Sequence, residues 1–183
     1  MSLSHALLTS LLEKSSSGYD LARRFDKSIG FFWHATHQQI YRELARMEKA
    51  GWIASSAAPD GGKTRKRIYN VLGAGRQELE RWAREAAPLA DMRDELMVRL
   101  RADAVIGPLG LEDEIERRQA LHADKLKAYR LIEARDFPAG AALSREAQIQ
   151  HMILKTGIML EESWVNWSAE ALNVLKSPGP SAA

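Results

Sequence analysis

The chain has no cysteine. That excludes disulfides, thiolate metal sites and cysteine nucleophiles together, and it suits a reducing compartment. No stretch approaches the roughly 20 apolar residues that a membrane span requires. Glu13 and Lys14 interrupt the first apolar stretch before it can serve as a secretory leader, so a cytoplasmic protein is expected. No repeat of 20–50 residues and no low-complexity tract is present. No Ser-His-Asp arrangement or paired carboxylates can be assembled from the sequence, which leaves catalysis without positive support.

What is present is ordinary globular material: 183 residues, 45% hydrophobic and 27% charged. The net charge of +2 conceals an asymmetry. Residues 1–87 hold 14 Lys and Arg against 9 Asp and Glu, whereas residues 88–183 hold 12 against 15. A basic first half beside an acidic second half points to a polyanionic partner for the first half alone.

The periodicity predicts helices throughout most of the chain. Leu3, Leu7, Leu8, Leu11 and Leu12 share one side of a first helix. Ser15-Ser16-Ser17-Gly18 breaks it and offers N-caps for a second, Tyr19 to Ile29, which Gly30 ends. Thr36-His37-Gln38-Gln39 has the form of a capping box, with Thr36 as N-cap and Gln39 reaching back to it. In the helix that follows, Ile40, Leu44 and Met47 fall within about 60° of one another. The opposite side carries Gln38, Arg42, Ala45 and Lys49, with Gln39 and Arg46 on its flank, and Gly51 closes the helix.

Two short extended segments come next, Trp52 to Ser56 and Arg65 to Val71, around a Gly-rich loop containing Pro59, Gly61, Gly62 and Lys63. Together they predict a hairpin. A helix from Gly75 to Glu85 completes the order helix, helix, helix, strand, loop, strand, helix, which is the winged-helix plan. The remainder predicts helices over Leu89–Val105, Leu111–Arg135 and, capped by Ser144, on to about Lys176. Lengths of some 25 to 30 residues favour paired helices. The expected fold is therefore mainly α: a winged helix-turn-helix with a two-stranded β-wing over residues 1–87, a long-helix dimerisation or effector domain over 88–176, and a tail from Ser177 to Ala183.

Long polar side chains near the start of the third helix can reach base edges in a major groove. Gln pairs with adenine and Arg with guanine, so Gln38, Gln39 and Arg42 are the candidate readers. Tyr19, Thr36, His37, Tyr41 and Lys49 complete the candidate DNA-facing set, with Tyr41 and His37 suited to phosphate. A solvated helix face would carry the same residue types, and the wing and the charge split are what favour DNA. On the wing, Lys63, Arg65, Lys66 and Arg67 suit phosphate or minor-groove contact, although strand alternation sends some of them to opposite faces.

Gly61-Gly62-Lys63-Thr64 resembles the end of a phosphate-binding loop but lacks its essentials. Ala57 stands where the first glycine is needed, and the residues after Thr64 are extended rather than helical. Gly73-Ala74-Gly75-Arg76 fails as a dinucleotide fingerprint for want of a third glycine and a βαβ frame. His34 and His37 lack the further ligands that a metal site needs, so neither metal nor cofactor is expected. Trp164 and Trp167, one helical turn apart and close to Met159 and Leu160, suit a dimer core, or else an aromatic-lined effector pocket.

Three blocks carry a family likeness: Ser17-Gly18-Tyr19-Asp20-Leu21-Ala22; Thr36-x-x-Gln39-Ile40-Tyr41-x-x-Leu44-x-x-Met47-x-x-x-Gly51-Trp52-Ile53; and Lys66-Arg67-Ile68-Tyr69-Asn70-Val71-Leu72-x-x-Gly75-Arg76. Their order and spacing over roughly residues 3–86 resemble the PadR family of bacterial regulators, and the helical remainder resembles its longer members. The resemblance implies a homodimer on a near-palindromic operator, usually repressing, with release by small aromatic molecules in some members. Gln38 and Arg42 depart from residues common in the family, so its usual operators are not carried over. The competing reading is an adaptor that turns the winged helix and long helices toward other proteins.

Overall fold

The computed structural model describes residues 3–27, 29–31, 33–57, 67–87 and 93–177. It divides into two compact units, Met1–Leu89 and Ala90–Ala183.

The first unit runs α1 (Leu3–Glu13), β1 (Ser16–Ser17), α2 (Gly18–Asp26), a 3-10 turn (Ile29–Phe31), α3 (His37–Lys49), β2 (Ile53–Ala57), β3 (Arg67–Val71) and α4 (Gly73–Ala83). The apolar stripes of the three helices meet in one core. Leu7, Leu8 and Leu11 of α1, Leu21, Ala22 and Phe25 of α2, and Ile40, Leu44 and Met47 of α3 are all fully or almost fully buried, and Ile53 of β2 joins them. Each of the larger side chains so buried contributes on the order of 1.5–3 kcal/mol.

The sheet has three antiparallel strands in the order β1-β3-β2. Ile53 faces Val71 and Ala57 faces Arg67 across the hairpin, while Ser16 and Ser17 pair with Tyr69 and Ile68. The sequence predicts two strands. The third is a two-residue segment with no hydrophobic alternation of its own, formed where the serine linker passes the wing.

Local chemistry sets the helix ends. Ser17 Oγ accepts from the Asp20 N–H at 3.2 Å and donates to Asp20 Oδ2 at 2.7 Å, which starts α2. That helix stops at Asp26, three residues short of the expected Ile29, and the chain tightens into the 3-10 turn. Gly51, at φ 72°, turns the chain away after α3 in a conformation that costs glycine little. Arg24 closes the other end of α1. Its guanidinium donates to Ser10 O at 2.6 Å, Lys14 O at 2.8 Å and Ser16 Oγ at 3.2 Å, adding to the bonds that Ser10 O takes from the Lys14 N–H and Lys14 O from the Ser16 hydroxyl.

In the second unit α5 (Glu95–Ile106), α6 (Glu112–Asp136) and α7 (Arg145–Lys176) are all helical. Asp94 caps α5 by accepting from the Leu96 N–H at 2.9 Å, and both its carboxylate oxygens accept from Arg118 Nη1 at 3.0 Å. Of the helix expected from Leu89, the residues up to Met92 lie outside the described residues, and the described part begins at Glu95, because Asp94 is extended and acts as its cap. Ser144 caps α7 as expected. The long pair is antiparallel: Lys176 meets Glu116, His122 meets Glu161, and His151 meets Glu133. Gly157 lets the two backbones close up, since a Cβ there would lie 2.9 Å from Tyr129 Cε2. Leu96, Ile115 and Leu172 form a small core shared by the three helices. Among the described residues no helix is long and apolar enough to cross a membrane.

Candidate nucleic-acid interface

The start of α3 is built as its sequence dictates. Thr36 Oγ1 accepts from the Gln39 N–H at 3.2 Å, and Gln39 Oε1 accepts from the Thr36 N–H at 2.8 Å. Both halves of the capping box are formed. With Ile40, Leu44 and Met47 turned into the core, Gln38, Tyr41, Arg42, Ala45 and Lys49 are exposed on the other side. A capped, anchored helix that presents an amide and a guanidinium in its first two turns can donate to base edges without first ordering its backbone.

The structure divides the candidate residues by what they touch. Gln39 has its carbonyl oxygen engaged at the helix start. His37 donates through Nε2 to Asp26 Oδ2 at 2.8 Å, so the first residue of α3 is tied to the last residue of α2. Tyr41 is 46% exposed and lies against Gly18, while Tyr19 is 58% exposed with the Arg23 guanidinium 5.7 Å from its ring centre. Gln38, Arg42 and Lys49 all face outward. Lys63, Arg65 and Lys66 lie outside the described residues.

Two further cations are held by carboxylates. Arg46 donates to both oxygens of Glu43, at 2.6 to 3.0 Å, and sits 5.5 Å from the Trp52 ring centre. That hydrogen bonding, with a smaller contribution from Arg42, holds the Glu43 carboxyl below the ordinary carboxylate range. Arg67 Nη2 donates to Glu48 Oε1 at 3.0 Å, and the same oxygen accepts from the Ser55 N–H at 3.1 Å. Glu48 therefore pins both wing strands to the end of α3. With Arg46 and Arg67 so engaged, Arg42 near the start of α3 and Lys49 at its end are the cations that face outward on this helix. Glu43, Glu48, Asp26 and Arg24 were not among the residues the sequence singles out. Their partners lie on other elements or at spacings that any helix surface would show.

Of the four aromatic and apolar candidates in the second unit, Trp164 and Trp167 meet edge to face with ring centres 5.3 Å apart. Trp167 packs on the Leu96, Ile115 and Leu172 core. Trp164 stacks on His122 at 5.1 Å, almost parallel. His122 in turn contacts the buried Glu161, which also accepts from Lys125 Nζ at 2.9 Å. Burial pushes the Glu161 carboxyl up, and the hydrogen bonds from Lys125 and His122 outweigh it, leaving the group below its ordinary value. Met159 and Leu160 stay more than half exposed, in line with Ile149, Met152 and Ile153 as an apolar stripe along α7.

Comparison with known proteins gives consistent neighbours for both units. The model of the PadR-like family of transcriptional regulators matches residues 7–81, and that of the virulence activator alpha C-terminal domain matches residues 92–176. A probable transcriptional regulator of Mycobacterium tuberculosis is 39% identical, covering 96% of this chain and 98% of its own. The solved structure of the virulence activator AphA from Vibrio cholerae aligns with a TM-score of 0.78 at 27% identity, covering 93% of this chain and 96% of its own. The negative transcriptional regulator PadR of Bacillus subtilis is 27% identical over 94% of this chain and 97% of its own. Its structure in complex with operator DNA aligns with a TM-score of 0.82, covering 96% of this chain and all of that one. The same protein has been solved with p-coumaric acid, with a TM-score of 0.77 and coverage of 96% and 99%.

Proposed function

The chain belongs to the PadR-like family of transcriptional regulators, and from that premise we propose that it is a sequence-specific DNA-binding repressor that acts as a homodimer on a near-palindromic operator. The observation that carries this reading is the outer face of α3, where Gln38, Arg42 and Lys49 stand exposed on a helix whose start is locked by Thr36 and Gln39. The family consists of regulators rather than enzymes, and no resident cofactor is proposed.

Residues 1–87 are proposed as the reading head and residues 88–176 as the dimerisation and effector domain. The exposed stripe of Ile149, Met152, Ile153, Met159 and Leu160 on α7 supports a second copy as its cover, because a lone apolar face of this length is costly in water. Pairing also answers an energetic need. One modestly basic head binds DNA weakly at physiological salt, and tethering two raises the effective concentration of the second. Repression is supported by the negative regulator of Bacillus subtilis, which is related over nearly the whole chain. Release by a small aromatic ligand is proposed by analogy with the p-coumaric acid complex of that protein. The cytoplasm, where the DNA lies, is the proposed location.

A footprint on the DNA upstream of the protein's own gene tests the reading. The expected result is two protected major-groove segments about one helical turn, roughly 34 Å, apart. Absence of protection at low salt, or retention on DNA that does not respond to salt, contradicts it and favours the adaptor. For the effector, p-coumaric acid as probe is expected to quench Trp164 and Trp167 fluorescence and to release the DNA. No response in either signal removes that part of the proposal.

A further inference from the structure

Asp26 is the last residue of α2 and His37 the first of α3, and the His37 Nε2–H donates to Asp26 Oδ2 at 2.8 Å across the connecting turn. Each residue stands against the electrostatics of its own helix. A carboxylate at a helix C-terminus faces the negative end of the peptide dipoles, and a basic group in a first turn faces the positive end. Local helix chemistry therefore favours neither, and among the described residues it is the link between the two helices that gives both a stabilising partner. The sequence alone suggests that His37 reaches a phosphate. In the structure its Nε2 is already turned to Asp26, whose carboxylate, beside the reading helix, repels DNA phosphate.

We propose that Asp26 is a positioning residue: through His37 it fixes the angle at which the first turn of α3, with Gln38 and Arg42, enters the groove. Thr36 and Gln39 fix where the helix starts, and the buried face fixes its rotation. Those buried contacts, with Tyr41 against Gly18, hold the body of α3 on α2, and the Asp26–His37 link adds a tie at the first residue of α3, the end that reads bases. This inference rests on the DNA-binding reading of the first unit.

The sign of one substitution separates the roles. Asp26→Ala removes a negative charge next to DNA, so if Asp26 does nothing to position α3, binding to every duplex tightens. Under the proposal, Asp26→Ala weakens the operator by about fivefold, the upper range for an exposed pair, while unrelated DNA is bound as before or more tightly. Asp26→Asn keeps an acceptor for the imidazole and recovers most of the loss. His37→Ala lowers the preference for the operator over unrelated DNA by about as much as Asp26→Ala, and the double variant lowers it no further than either. The full-length protein is measured against an upstream operator fragment and an unrelated duplex of equal length, with thermal midpoints confirming that each variant folds. Operator binding by Asp26→Ala that equals or exceeds the unaltered protein, or losses that add in the double variant, overturns the proposal while DNA binding stands. An unaltered protein that binds neither duplex overturns both.

Discussion

A Cβ on Gly18 would lie 2.6 Å from Tyr41 Cε1. The first residue of α2 and the outer flank of α3 thus meet with no room for a methyl group, and Tyr41 owes its position to the absence of one. Gly18→Ala forces the Tyr41 ring aside. Because that ring is nearly half exposed and can move, the expected cost is about 1 kcal/mol, or a thermal midpoint lower by about 5 °C. Operator affinity falls with it, and Tyr41→Ala in the Gly18→Ala background lowers it no further. Additive losses would mean that the two residues act separately.

Gly75 meets a harder obstacle. A Cβ there would stand 2.3 Å from the Trp52 carbonyl oxygen and 3.1 Å from Leu8 Cδ2. That carbonyl already accepts from the Leu72 N–H at 2.8 Å, so it is backbone fixed at the edge of the sheet. Gly75→Ala is expected to destabilise the first unit by about 3 kcal/mol. Equilibrium unfolding in urea checks it, and a change below that of Gly18→Ala would contradict the packing described here.

The capping box predicts non-additive losses. Thr36→Ala removes the acceptor for the Gln39 N–H and costs about 1 kcal/mol. Gln39→Ala removes the reciprocal bond and costs less, and the double variant falls short of the sum. Gln39 is expected to act on DNA through the helix start: its alanine variant weakens binding to the operator without changing which base is preferred there. A changed base preference would restore it as a reader.

Acid should loosen the packing of α1 on α4. Hydrogen bonds from Arg81, then from His5, hold the Glu78 carboxyl at about 2. A carboxylate with a lowered folded-state pKa contributes stability that is present above its ordinary value of 4.5 and is lost as pH falls toward about 2. Glu78→Gln is expected to flatten the acid limb of the unfolding curve in that window and leave its slope near neutrality unchanged. His5 stacks on Trp82 with ring centres 4.5 Å apart, so indole fluorescence reports the same loss. An unaltered acid limb in Glu78→Gln would assign the dependence to other carboxylates.

How much of this was legible in the sequence depended on the range of the interactions. The capping box, the buried triad of Ile40, Leu44 and Met47, and the Ser144 cap are each encoded at successive spacings of no more than four residues and are found where the pattern puts them. The strand Ser16–Ser17 exists only because Ile68 and Tyr69 arrive some 50 residues later, and two serines carry no strand signal. The same holds for Arg24 on the end of α1, for Glu48 under the wing, and for Asp26 beside His37. In each, one partner looks like a solvated surface residue until the fold brings the other to it.

Whether the outer face of α3 reads DNA is decided by the affinities of the unaltered protein and of Arg42→Ala for an upstream operator and an unrelated duplex, at 50 and 200 mM salt. Binding of both duplexes is expected to weaken steeply with salt, at about −0.9 in the logarithmic slope per phosphate contacted. Arg42→Ala is expected to lower the preference for the operator by about tenfold, the loss of one good base contact. An Arg42→Ala protein with the preference intact, or an unaltered protein whose DNA binding ignores salt, would contradict a DNA-reading role for this face.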